Sequence, residues 1–140
     1  MSTVFTKIIK REIPAEIVYE DDQFIAFLDI IQTTKGHVIV ATKKEYVNIL
    51  SLPPTVAGEF FKVVTAVAKA VAKAFNTEGV NFLSNAGVLA AQRVFHCHAH
   101  IIPRYENDGL SLKLKNHIHE TQEEDYKKRA NAIKEALLDT

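Results

Sequence analysis

His96-Cys97-His98-Ala99-His100-Ile101-Ile102 is the stretch on which the reading of this chain turns. Histidine stands at every second position, with small or apolar residues between. In a β-strand residues i, i+2 and i+4 share a face. The run therefore predicts a strand from Val94 to Pro103, with three imidazoles in a row roughly 7 Å apart at the backbone. Cys97, Ala99 and Ile101 then turn to the core. Three chemistries suit such a face. It is a set of hydrogen-bonded structural histidines, or a zinc site, since His-x-His on a strand is a common zinc arrangement, or a nucleophile and acid/base set. Imidazole titrates near neutrality, so a neutral nucleophile and a protonated donor can share one site. Crowding three rings disfavours more than one positive charge, and neutral imidazole is a competent nucleophile toward phosphorus.

The residues just upstream favour anion chemistry. From Asn85-Ala86-Gly87 to Gln92-Arg93-Val94 the chain is rich in small residues, whose backbone N–H groups can approach a phosphate closely. Gln92 offers an amide donor and Arg93 a fixed positive charge suited to phosphate.

Further out, the pattern is that of an α+β domain. Val4 to Ile13 reads as a short helix ended by Pro14. Ile17-Val18-Tyr19, Phe24 to Ile30 and His37 to Ala41 read as strands of an antiparallel meander. Val56, Phe60, Val63, Val64, Val67 and Val71 form one stripe of a helix from about Pro54 to Phe75, with Thr55 as its cap. Val80 to Leu83 is a fourth strand, Val94 to Pro103 the fifth, and Gln122 to Leu138 a polar C-terminal helix. The expected fold is a mostly antiparallel five-stranded sheet with one long helix packed on it and a C-terminal helix. It forms a single domain over 1–140, with a core to about 105 and an extension over 106–140.

Composition bounds the function. The 17 basic residues balance 17 acidic ones, with no basic block, which argues against a nucleic-acid track. Gly58, Glu59, Lys62, Lys69 and Lys73 interrupt the greasiest region, so no membrane span is expected. Val4-Phe5-Thr6-Lys7 lacks the apolar stretch of a signal peptide. Cys97, the single cysteine, forms no internal disulfide and fits a reducing, cytoplasmic setting.

With Gln92-Arg93-Val94-Phe95 before it, the histidine run resembles the signature of the histidine triad family of nucleotide hydrolases and transferases. Phe5-Thr6-Lys7-Ile8-Ile9, Tyr19-Glu20-Asp21-Asp22, Ala26-Phe27-Leu28-Asp29-Ile30 and Gly36-His37 are similar to the family's N-terminal half. The resemblance is strongest to its nucleoside-phosphoramidate hydrolases and their bacterial relatives. It implies that His98 attacks an α-phosphorus to give a nucleotidyl-histidine, and that the carbonyl of His96 holds the His98 ring. It also implies that His100 and Gln92 contact phosphate or the leaving group, and that His37 backs the cluster. Asp29 is implied to bond the ribose, Phe5, Ile8, Phe27, Leu28 and Ile30 to line the base pocket, and Asn85, Arg93 and Val94 to complete the nucleotide site. The implied ligand is a purine nucleotide or nucleotide conjugate, the implied assembly a homodimer involving the Pro54–Phe75 helix, and no cofactor is needed. Cleavage of diadenosine polyphosphates, or nucleotide binding with little turnover, are the alternatives.

The chain departs from that pattern at informative places. Some bacterial members hold structural zinc with an N-terminal cysteine pair and downstream histidines. Here Thr3, Thr6 and Tyr46 stand at those positions and lack the thiolate and imidazole that zinc needs, so no metal is expected. Ala91 replaces a glycine before Gln92, and Arg93 replaces a small hydroxyl residue, which leaves the leaving-group preference open. His117 and His119 read as surface residues of the tail.

Overall fold

The computed structural model describes residues 2–140, as two compact units that divide between Leu110 and Ser111. The first unit thus runs past the core boundary expected near 105. In the first unit the order is α1 (Val4–Ile9), β1 (Ile17–Glu20), β2 (Phe24–Leu28), β3 (Val38–Thr42), α2 (Pro54–Ala74), β4 (Gly79–Leu83) and β5 (His98–Arg104). The strands form one sheet in the order β1-β2-β3-β5-β4, each neighbour antiparallel. The second unit carries α3 (Glu123–Leu138), opened by the Gln122 N–H donating to the Asp125 carboxylate at 2.8 Å.

Two apolar layers clothe the sheet, and strand alternation sorts residues between them. Phe24, Ala26, Val38, Val40, Ala99 and Ile101 face α2 and pack on its stripe of Phe60, Val63, Val64, Val67 and Val71. Ile25, Phe27, Ile39 and Ala41 face the other way and meet Phe5 and Ile8 of α1. On β5 the residues between Ala99 and Ile101 alternate with them, so His98 and His100 stand on the α1 side. His98 pairs with Ala41 and His100 with Ile39 on central β3. No helix among the described residues is long and apolar enough to cross a membrane.

Several expected boundaries shift, each for a visible reason. The last strand starts at His98 and not at Val94, because residues 94–97 are tied elsewhere: the Gln92 amide holds the Val94 carbonyl, and the Cys97 N–H donates to the Tyr46 carbonyl at 2.6 Å. Helix α1 ends at Ile9, ahead of Pro14, where Arg11 enters the left-handed region at φ 63°. Strand β2 stops at Leu28, since Asp29 turns the chain and accepts the Ile31 N–H at 2.9 Å. Thr55 does not cap α2; Pro53 occupies the N-cap without a side-chain bond, and Pro54 opens the helix with a preset φ.

Gly36 shows how tightly the entry to β3 is built. Its φ is +96°, and a Cβ there would lie 2.6 Å from the Phe75 ring. Gly36→Ala therefore loses stability by about 1–3 kcal/mol, from left-handed strain and steric overlap. Urea unfolding checks this, and a variant as stable as wild type contradicts it.

Candidate active site

The nucleophile candidate is defined by one hydrogen bond. His98 Nδ1 lies 2.6 Å from the His96 carbonyl oxygen. A carbonyl only accepts, so Nδ1 carries the ring proton and Nε2 keeps its lone pair. The ring is nearly enclosed, 8% exposed, with the Phe5 ring edge-on at 4.8 Å between centroids.

His100 has the complementary tautomer, set by a relay. The Thr33 backbone N–H donates to His37 Nδ1 at 3.3 Å. His37 Nε2 then carries the proton and donates to His100 Nδ1 at 2.9 Å. This leaves the proton of His100 on Nε2, available to an oxygen or nitrogen of a ligand. The rings of His98 and His100 stand 5.1 Å apart, a lone pair on one beside an N–H on the other. Asp29 Oδ2 sits 3.6 Å from His37 Nε2. Gln32 pins this corner: its amide N–H groups donate to the carbonyls of Asp29 and His37, and its oxygen accepts from Gly36 N–H.

These rings open on a cavity of about 590 Å³, within the range that holds a small ligand. Its walls include Phe5, Ile8, Phe27, Leu28, Asp29, Ile30, His37, Asn85, Gln92, Arg93, Val94, His98 and His100. Apolar side chains and the histidines share these walls, with Phe5 against His98. Ile30 stands at the rim, 94% exposed. His96 is the exception to the expected row of three. Its ring is fully buried, does not line the cavity, and is bonded at both nitrogens, by Nε2 to the Thr42 carbonyl at 2.6 Å and by Nδ1 to the Thr3 hydroxyl at 2.7 Å. Gln92 lines the cavity, but its amide is engaged internally. It donates to the carbonyls of Val47 and Val94 and accepts from Gly87 N–H and the Asn48 amide. In this arrangement it ties down the loop that faces the histidines.

At the corner of Thr3, Thr6 and His96, the donor set does not fit a metal. Thr3 and Thr6 bond to each other, Thr6 donates to the Glu45 carboxylate, and His96 has no free nitrogen. The side chain that meets Thr6 at this corner is Glu45 and not Tyr46, whose carbonyl instead receives the Cys97 N–H. Asp29, His37 and His100 also place ligand atoms within 4.8 Å of one another. A metal there would have to break the His37–His100 bond and move the His37 proton to Nδ1, against the Thr33 N–H. Sequence reading missed Thr3, Thr33, Gln32 and Glu45. Threonine and glutamine in turns carry no signal that a histidine distant in the chain leans on them.

Burial lowers the pKa of all four clustered histidines from the ordinary imidazole value. For His98 the neighbouring His100 and His96 add to the effect, while the His96 carbonyl and Asp29 oppose it. For His100 the second contributor is His37, again opposed by Asp29; His37 and His96 follow the same direction. The rings are thus neutral at pH 7. Burial pushes the Cys97 thiol up to about 11, so it is an inert core group. The linkage sign follows: the unfolded chain takes up protons on these histidines near pH 6.5 while the folded chain resists until lower pH. Their contribution to stability is present above about pH 6.5 and is lost as pH falls below it. The guanidinium midpoint accordingly drops between about pH 7 and pH 5, and His37→Asn makes that drop shallower. An equal slope in wild type and variant contradicts it.

A sheet with a strand-borne histidine pair, a third histidine turned inward behind it and a cavity of nucleotide size define a histidine triad protein. The HIT domain family profile matches residues 10–107, and the chain belongs to that family. It is 40% identical to Protein hit of Bacillus subtilis over 96% of this chain and 93% of that one. It is similar to the crystal structure of a HIT family protein from Bacillus anthracis, with TM-score 0.89, 41% identity and 95% of each chain covered. It is also 38% identical to adenylylsulfatase HINT3 of Arabidopsis thaliana, over 81% of this chain and 59% of that protein.

Proposed function

We propose that this chain is a nucleotide hydrolase that cleaves purine nucleoside phosphoramidates and related conjugates at the α-phosphorus. The observation that carries the reading is the His98 Nδ1–H to His96 carbonyl bond, which leaves Nε2 as the free lone pair beside the His100 N–H.

The chemistry balances in two steps. His98 Nε2 bonds to phosphorus as the bond from phosphorus to the bridging atom breaks, and the electron pair leaves on that atom. An amine leaves with a proton from His100 Nε2, which solvent replaces on that nitrogen so that the ring stays neutral, while a weakly basic group such as sulfate departs without it. The nucleotidyl-imidazolium that forms is stabilised by the His96 carbonyl at its Nδ1–H. Water then bonds to phosphorus, the phosphorus–nitrogen bond breaks and His98 recovers its lone pair. The attacking water keeps one proton on the phosphate oxygen and gives the other to solvent, and the nucleoside monophosphate is released. The apolar wall formed by Phe5, Ile8 and Phe27 suits a base, and Asp29 suits the ribose hydroxyls. The adenylylsulfatase among the relatives favours adenylyl conjugates as the first substrates to try.

Homodimerisation through α2 belongs to the same reading. Phe61 of α2 and Phe82 of edge strand β4 stack at 5.5 Å and are both more than two-fifths exposed, an apolar surface on an open sheet edge that suits a second copy. A cytoplasmic setting is consistent with the lone thiol.

The test is turnover of adenosine 5′-phosphoramidate with α-labelled phosphorus. Release of AMP, with label bound covalently to acid-quenched wild-type protein, is expected. Tight nucleotide binding with no AMP released over any of these conjugates overturns the reading in favour of a binding module.

A further inference from the structure

We propose that Arg93 selects conjugates whose leaving group carries its own anionic oxygens, a carboxylate or phosphate beyond the scissile bond. The inference rests on the reading of His98 as a nucleophile toward an α-phosphorus.

Two formally charged side chains line the cavity, Asp29 and Arg93. Asp29 is engaged, with Oδ1 accepting the Ile31 N–H and Oδ2 beside His37. Arg93 is not. Elsewhere in the same unit Arg11 bonds Glu20, and Arg104 grips Asp108 and Asn81. Among the described residues Arg93 has no such partner, although a guanidinium offers five donors. Its exposure is not slackness of the loop. The preceding side chain, Gln92, is 5% exposed and bonded on both ends of its amide, and Ala91 is held at φ 66°. The backbone thus presents an unneutralised cation to the cavity from a fixed base.

Position decides which part of a ligand it meets. The α-phosphorus must reach the buried His98 ring. Under that reading the apolar wall takes the base and Asp29 the ribose, and Arg93, an exposed lining residue, is left for the group that departs. A cation there holds a distal anion by charge as well as by hydrogen bonds, and a neutral group by hydrogen bonds alone.

The experiment compares two adenosine 5′-phosphoramidates, of 3-aminopropanoate and of 3-aminopropanamide, which share the scissile bond and differ in distal charge. Wild type is expected to favour the carboxylate in kcat/KM by about fivefold, the scale of one exposed ion pair. Arg93→Ser brings that ratio to about one, and Arg93→Lys keeps part of it. A wild-type ratio near one, or the same ratio in Arg93→Ser, overturns the assignment. Calorimetric titration with AMP and ADP reads the preference without turnover, since ADP adds an anionic group on the leaving side. A preference for ADP that disappears in Arg93→Ser supports the assignment even if neither amidate is cleaved, in which case the hydrolase reading alone fails. An ADP preference that survives in Arg93→Ser overturns it.

Discussion

His98→Gly lowers kcat/KM for adenosine 5′-phosphoramidate by at least about 10⁴-fold, the scale seen when a covalent nucleophile is removed, and abolishes covalent labelling. The physical reason is specific to this ring. It is the histidine of the cluster whose proton is held on Nδ1 by a carbonyl, with the lone pair of Nε2 facing the cavity. The other rings cannot substitute. His100 bears its proton on Nε2, His37 is spent on His100, and His96 is bonded at both nitrogens. The substitution removes a ring packed edge-on against Phe5, so circular dichroism and AMP affinity must accompany the kinetics. Loss of turnover with native spectra assigns the loss to chemistry. Turnover within tenfold of wild type removes His98 as the nucleophile. A companion contrast sharpens the roles. His100→Gln slows cleavage of the amidate far more than cleavage of adenylyl sulfate, because an amine needs a proton to depart and sulfate does not.

Phe60→Ala costs about 3–5 kcal/mol of folding stability, the range for emptying a buried aromatic site. Phe60 is wholly buried, on the face of α2 that meets the sheet, and its ring lies 5.7 Å from Phe24 and 6.0 Å from Phe61. Phe24 sits on β2, two strands from β5, so the void left by the ring opens under the sheet that carries the histidines on its other face. Since domains of this size are stable by only about 5–15 kcal/mol, the loss is a large share of the total. Chemical denaturation measures it. A change under 1 kcal/mol would mean that α2 packs on the sheet without this ring.

Much of the fold was legible because both of its periods were clean. The alternation in Phe24 to Leu28 and Val38 to Thr42 sends successive residues to two different cores, and the 3.6-residue stripe on α2 meets one of them. Ends of elements were less legible. A strand from Val94 was a fair extrapolation from alternation, yet the Gln92 amide and the Tyr46 carbonyl claim that backbone first. Those competitors lie up to 51 positions away from Cys97 along the chain, outside any local window.

The same contrast governs the site. The amino-acid sequence by itself determined that His98 and His100 share a strand face, that a glutamine, an arginine and small residues precede them, and that no thiolate pair stands at Thr3 and Thr6 to hold zinc. Period-two geometry and side-chain chemistry are local, and they need no partner. Only the tertiary structure decided which nitrogen of His37, His96 and His100 holds the proton, that His96 turns its ring away from the cavity, and that Gln92 is bonded inward where Arg93 is exposed. A tautomer is chosen by whatever donor or acceptor lies opposite the ring. Here those partners are Thr3, Thr33 and Thr42, the first of them 93 residues from the histidine it bonds. Spacing along the chain carries no record of such a pairing, because it exists only once α1, β3 and β5 have packed together.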